Sequence, residues 1–325
     1  MRTINFLGVA LLALSLVACN NGASFGIAPK EDSFSSVALY NNKVDIIWLV
    51  DDSSSMGNHQ KNLTKQIPDL VAQLNSLGMD YRMVVTTTTV GTNWPGGAYV
   101  GSPAVLSSST PNLTGVLSNR LLVGSKGSNF ERGILSLQNL LSQNYIEGAG
   151  AGFHREDALL VINILADGED STEGSTASLL HSLTTRLNDL KKPRRPNVGG
   201  WLANYIGVTK SSDCPNDFGT DETGYRYLEL VKQSQGKAYP ICVESLKGAV
   251  DGLKARLLEI ITDYPLSDIP DLMTVKVYMD GVLVPRSVSN GWSYVPELNV
   301  IRFHGTAVPS VDSSVKVSFT PASAS

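Results

Sequence analysis

A chain of 325 residues with a formal net charge of −4 has room for one large domain and a small one, or for two ordinary domains. Its 42% hydrophobic and 17% charged residues suit a folded chain and exclude general disorder. The mildly acidic balance offers no basic surface of the kind a nucleic-acid partner demands.

Residues 1–18 read as a secretory signal. Arg2 precedes an apolar run from Phe6 to Val17 that is too short to span a membrane, and the small Ala18 follows. The ending Leu16-Val17-Ala18-Cys19 resembles the bacterial lipoprotein box. That resemblance implies cleavage before Cys19 and lipidation of its thiol; an ordinary signal with an incidental cysteine is the alternative. Asn20, rather than an aspartate, follows the cysteine, which under enteric-type sorting implies the outer membrane of a cell envelope. Residues 19–40, rich in Ser, Gly, Asn and Ala, read as a lipidated tether. Cys214 and Cys242 are then left as an even pair in an oxidising compartment and are expected to form a disulfide, with two free buried thiols as the alternative.

From residue 41 onward, strand and helix patterns alternate. Residues 44–50, VDIIWLV, form a nearly continuous apolar run of the kind buried on both faces of a sheet. Leu63, Ile67, Leu70, Val71 and Leu74 follow at helical spacing, with Pro68 placed to kink or restart the helix. Residues 81–89 are β-branched and strand-like, and 90–125 read mostly as a long loop with a weak strand or turn inside. A helix is predicted over 128–141, capped by Ser128. A second deeply buried strand, 158–167, ends in Asp167, and Leu179, Leu180, Leu183, Leu187 and Leu190 mark another helix. A strand over 201–208, a helix over 224–236, a short strand over 238–242 and a helical stripe from Leu246 to Ile261 complete the pattern. This alternation predicts an α/β fold over 41–263, a Rossmann-like doubly wound, mostly parallel sheet with helices on both faces. The remainder, 264–325, reads as a small antiparallel β subdomain. It has a hairpin about Asp280-Gly281 and further strands in YVPELNVIRF (294–303) and VKVSFT (315–320). At that size it is expected to hold little core of its own and to pack on the main domain.

Ligands in such sheets bind at the carboxyl ends of the strands. Asp51 and Asp167 each stand at that end of an apolar strand, and Ser53 and Ser55 follow Asp51 at alternating positions, so one turn can aim several oxygens at one point. Carboxylates and hydroxyls are hard donors, which suit Mg²⁺, Mn²⁺ or Ca²⁺ rather than zinc or copper.

These residues resemble the von Willebrand factor type A family. Asp51-x-Ser53-x-Ser55 after a hydrophobic strand is similar to its metal-ion-dependent adhesion site, D-x-S-x-S; KGSNFERG (126–133) falls where the family carries a threonine turn, and ILADGED (164–170) resembles its L-T/S-D-G turn. The resemblance covers roughly 41–263. It implies that Ser53, Ser55 and Ser128 coordinate a divalent cation, most simply Mg²⁺, with Asp51 and Asp167 acting directly or through water. Ser128 takes the threonine position, and Ser125 is a rival for it. Such a site keeps spare positive charge and an open position that attracts the acidic group of a protein partner. More narrowly, residues 291–309 and the Cys214–Cys242 spacing resemble lipoproteins that fuse this domain to a short β tail.

Other features have blander readings. Asp52 is expected to face solvent or cap the next helix, Glu169 and Asp170 to lie off the metal, and 212–224 to form a solvated acidic turn pinned by the disulfide. The basic run 191–197 reads as a solvated turn rather than a lipid-headgroup site, and the histidines 59, 154, 181 and 304 lack metal-ligand spacing. Three functional classes stay open: a non-enzymatic binding module that grips a partner through the cation, a metal-dependent hydrolase, and an envelope scaffold whose metal is structural. The first is preferred. A two-aspartate hydrolase would want D-x-D where this chain has Asp51-Asp52-Ser53, and no H-E-x-x-H or P-loop occurs.

Overall fold

The computed structural model describes residues 28–34, 43–91, 94–191, 200–214, 222–234, 236–309 and 313–322. The predicted signal, Cys19, and most of the basic run and of the acidic loop lie outside them. Among the described residues no helix is long and apolar enough to cross a membrane.

In chain order the elements begin with strand β1 (Lys30–Phe34), which belongs to the carboxyl-terminal part of the fold. Strand β2 (Lys43–Val50) is followed by helices α1 (Gly57–Thr64) and α2 (Ile67–Ser76), then by strand β3 (Asp80–Thr87). Pro68 sits in the first turn of α2, where a missing N–H removes no helical bond, so it restarts the helix rather than bending it. The stretch expected to be loop holds the small strands β4 (Val90–Gly91), β5 (Trp94–Pro95) and β6 (Leu106–Ser107) and an unexpected helix, α3 (Leu113–Leu121). That helix forms because Leu113, Leu117 and Leu121 recur every four residues and bury one stripe against the core. Helices α4 (Gly133–Leu140) and α5 (Gln143–Glu147) lead to strand β7 (Leu159–Ala166). Helix α6 (Thr176–Leu190), strand β8 (Trp201–Gly207), helix α7 (Tyr225–Ser234), strand β9 (Ala238–Pro240) and helix α8 (Lys247–Thr262) complete the α/β part.

The six-stranded sheet runs β6-β3-β2-β7-β8-β9. Every neighbouring pair is parallel except β3-β6, which makes an antiparallel edge. Alternation along β2 divides its side chains between two apolar layers. Val44, Ile46, Trp48 and Val50 pack under α1, α2, α3 and α8, whereas Ile47 and Leu49 pack under α4, α6 and α7. Both faces are covered, which is why the run reads as continuously apolar. Asp45 interrupts it near the foot of the strand. There it accepts from Arg155 Nε at 2.8 Å and pairs with Lys191 Nζ at 3.3 Å. Lys191 is buried and also donates to the carbonyls of Ala158 and Arg155, so the solvated reading of this residue is corrected: it is a buried counter-charge for Asp45. Cys214 and Cys242 form a disulfide next to β9.

After α8 the chain turns into β structure. Strands β10 (Asp263–Pro265), β11 (Lys276–Met279), β12 (Val282–Val284), β13 (Gly291–Val295), β14 (Val300–His304) and β15 (Val315–Phe319) build two sheets. One has the order β1-β15-β11-β12 and the other β10-β14-β13. Asp280 and Gly281 both take positive φ (52° and 81°), as a tight two-residue hairpin requires. The strand structure expected within 294–303 is a hairpin that turns at Pro296–Asn299 between β13 and β14.

Two further expectations are corrected here. Residues 30–34 are not tether but strand β1, paired antiparallel with β15. The subdomain does have a core of its own, to which Phe34 of β1 adds a buried ring beside Tyr264, Trp292, Phe303 and Phe319. It joins the α/β part through Arg302, which grips buried Asp263 with two bonds (2.6 and 2.8 Å) and reaches Glu259 of α8 at 3.5 Å.

Candidate metal centre

Strands β2 and β7 are neighbours, but the chain leaves β2 toward β3 on one side and reaches β7 on the other. Their carboxyl ends therefore flank the point where the winding of the sheet reverses, the place where such sheets open a crevice. Asp51 directly follows β2 and Asp167 directly follows β7, and the Asp51 N–H donates to the Leu165 carbonyl at 2.9 Å. A third carboxylate joins them. Glu131, from the loop before α4, places an oxygen so that the ligand atoms of Asp51, Glu131 and Asp167 all lie within 4.8 Å of one another. All three side chains are buried, and Asp51 Oδ2, Glu131 Oε2 and Asp167 Oδ2 have no hydrogen-bond partner among the described residues.

The other oxygen of Asp51 is held in place: Oδ1 accepts from the Ser53 N–H at 2.7 Å and the Thr88 hydroxyl at 3.3 Å. Ser53 is buried and its Oγ lies 3.3 Å from that of exposed Ser55. Gln60, fully buried on α1, donates to the carbonyls of Asp51 (2.8 Å) and Gly124 (2.7 Å) and accepts from the Gly124 N–H. It thereby ties the turn after β2 to the loop before α4.

Asp52 neither faces solvent nor caps α1. It is 4% exposed and accepts from the Thr89 hydroxyl at 2.8 Å, which corrects the expected role. Gly127 lies against it so closely that a Cβ there would meet Asp52 Cγ at 2.5 Å, and the Gly127 N–H donates to the Asp52 carbonyl at 2.7 Å. Only glycine permits that approach. Ser128 is half-buried; its N–H donates to Thr89 Oγ1 at 2.9 Å, and its own Oγ accepts from the Phe130 N–H at 3.0 Å. Ser125 is exposed. Asp51, Ser53, Ser55 and Asp167 thus gather at one place, while the described bonds of Ser128 run to Thr89 and Phe130.

Ser128 does not cap α4 as expected, because that helix starts five residues later. Its first N–H groups are met by Asp170, whose Oδ2 accepts from Ile134 N at 2.9 Å, and by the Thr172 hydroxyl. Glu169 does the same for α7, accepting from the N–H groups of Tyr225 (2.8 Å) and Arg226. Both acids hold helix ends, where a carboxylate complements the orphan N–H groups.

Sequence reasoning missed Glu131. The available signal was an acid between Phe130 and Arg132, immediately before the apolar stripe Ile134, Leu137, Leu140 and Leu141. Burial raises the Asp51 carboxyl well above the ordinary range, and the Asp167 charge adds to the effect. Burial raises Glu131 as well, with the Asp51 charge next in weight. Two full charges about 4.8 Å apart repel by roughly 3–4 kcal/mol at an effective dielectric of about 20. A divalent cation among them would turn that repulsion into attraction. The donor set fits such an ion: all ligand atoms are oxygen, and each acid keeps a buried lone oxygen.

No family model and no curated protein matches the sequence. Among solved structures, proximal thread matrix protein 1 of the mussel byssus is similar at 12% identity and a TM-score of 0.41, covering 73% of this chain and 51% of that one. The same protein with a zinc-occupied MIDAS motif gives 12% and 0.41, covering 70% and 50%. The pilus adhesin SpaC of Lactobacillus rhamnosus GG in its open conformation gives 10% and 0.45, covering 90% of this chain and 42% of that one. The chain therefore spans about half the length of these structures or less.

Proposed function

We propose that this chain is an adhesive module of the von Willebrand factor type A kind, which grips a protein partner through a divalent cation. The observation that carries the reading is the set of three buried carboxylates at the switch point, each with an oxygen that has no partner among the described residues. Asp51, Glu131 and Asp167 would hold the ion, most simply Mg²⁺, with the hydroxyls of Ser53, Ser55 and Ser128 completing the set. When bound, the ion supplies positive charge with a position open toward solvent, on the side where Ser54 and Ser55 are exposed. A carboxylate of the partner fills that position. We read the module as binding rather than catalytic, anchored through lipidated Cys19 to a bacterial cell envelope, on its outer membrane. The signal-like pattern of residues 1–18 and the lipoprotein-like Leu16–Cys19 support the anchoring.

The test is capture from envelope extracts on immobilised protein in Mg²⁺, followed by EDTA. Proteins released by EDTA from wild type, and missing from Asp51→Ala, are expected. Identical capture by the two, with calorimetry showing that only wild type binds Mg²⁺, would leave the site standing and sink the adhesive role.

A further inference from the structure

Two large aromatic side chains stand in solvent at the edge of the acid triad. Phe130 is 71% exposed and Tyr225 is 70% exposed. Phe130 directly precedes the triad residue Glu131. Tyr225 opens α7, and its N–H is held by Glu169, two residues beyond the triad residue Asp167. The stretch between them is shared. The Ser171 N–H donates to the Glu131 carbonyl at 2.6 Å, and the Glu222 N–H donates to the Asp167 carbonyl at 3.2 Å. The two rings thus rise from loops that grip the Asp167–Thr172 segment, Phe130 from one and Tyr225 from the other.

The backbone at each ring is tied down. The N–H of Phe130 is tied to Ser128 Oγ, and the next two backbone groups are tied to Ser171 and Thr88. The N–H of Tyr225 is held by Glu169 Oε2 at 2.8 Å. Rigid, exposed aromatics lose little freedom on binding and are the commonest energetic anchors of protein interfaces.

We infer that Phe130 and Tyr225 form an apolar rim around the cation site and select partner carboxylates that have an aromatic or large aliphatic side chain next to them. The inference rests on the adhesive reading above and names the partner's chemistry: an acidic residue flanked by apolar ones, on an extended segment or loop tip. The carboxylate meets the ion, and the flanking side chain meets the two rings.

The test is selection from a displayed random heptapeptide library in Mg²⁺ with EDTA elution, run on wild type and on a Phe130→Ala/Tyr225→Ala double variant. The wild-type pool should enrich Asp or Glu with Phe, Tyr, Trp, Leu, Ile or Met within two positions. The double variant should keep the acid and lose the flanking preference. A synthetic peptide from the wild-type pool should bind the double variant roughly tenfold or more weakly. Phe130→Leu should retain most of the preference, and Mg²⁺ affinity by calorimetry should be the same in all three proteins. The same flanking preference in both pools would overturn the inference and leave the adhesive reading intact. A double variant that no longer binds Mg²⁺ would assign the rings to the fold and overturn it too. Pools without acidic enrichment would remove the adhesive reading and the rim together.

Discussion

Asp52 and Thr89 are joined by a buried hydrogen bond of 2.8 Å, from the threonine hydroxyl to the carboxylate, and the same hydroxyl accepts from the Ser128 N–H. One threonine just past β3 therefore fixes the turn after β2 to the loop that delivers Glu131. Thr89→Val keeps the shape and removes both bonds. It should lower stability by about 1–3 kcal/mol in urea denaturation, since a buried carboxylate loses a donor and a backbone N–H loses its acceptor. Mg²⁺ affinity should fall with it, which calorimetry would read.

Glu131→Gln tests the triad by charge alone. Without metal, removing one of the repelling groups should raise the melting temperature or leave it unchanged. In Mg²⁺ wild type should gain stability with the logarithm of metal concentration, about 2.7 kcal/mol at a hundredfold excess over Kd. The variant should show less than half of that gain in thermal melts. An equal gain would remove Glu131 from the site.

Lys191→Met addresses the other end of β2. It leaves Asp45, fully buried, with Arg155 as its one cationic partner among the described residues. Arg155 still compensates the carboxylate, so the loss should fall below the roughly 3–5 kcal/mol of a buried charge left wholly unpaired. Pairing the change with Asp45→Asn should recover much of that loss, and a double-mutant cycle in denaturant would measure it.

His154 gives a pH dependence with a definite sign. Burial, and then the Lys191 charge, push its imidazole down to about 4, with Arg186 also lowering it and Asp45 and Glu156 opposing. The unfolded chain takes up a proton near pH 6.5 and the folded one does not, so this contribution to stability is complete above about 6.5 and is lost as pH falls toward 4. For a half-buried ring, screening reduces the effect to about 1–2 kcal/mol. The raised carboxyls of Asp51 and Glu131 act in the opposite direction over that window. The difference between wild type and His154→Gln, measured in EDTA from pH 7 to 4, isolates the imidazole.

The bridge between Cys214 and Cys242 closes a separation of 28 residues. Replacing both by Ala should cost about 3.5 kcal/mol by loop entropy. The loss should appear in denaturant melts without a change in Mg²⁺ affinity, because the bridge lies beside β9, the edge strand farthest from β2 on that side of the sheet.

Asp51 and Asp167 were legible because an apolar strand that ends in an acid declares both its burial and its direction. The two-sheet subdomain was legible in outline for a similar reason: Asp280-Gly281 dictates a turn. Glu131 was not legible, since its burial depends on a loop folding back across the tip of β2, and a single acid carries no period. Asp52 misled because an acid in a turn reads as solvated. Thr89 and Gly127, distant in sequence, roof it over. Strand β1, KEDSF, is polar on four of five positions and pairs only because β15 lies beside it.

Strand β2 is held by hydrogen bonds on both sides, to β3 and to β7, along nearly its whole length. Its tip delivers Asp51, so the carboxylate hangs from two ladders at once. Strand β1 lies earlier in the chain and is laced to β15, so a pull on the chain before Lys30 meets the β1-β15 ladder before it reaches Lys43 at the foot of β2. That ladder takes the first strain, and the strand that positions the carboxylate lies behind it.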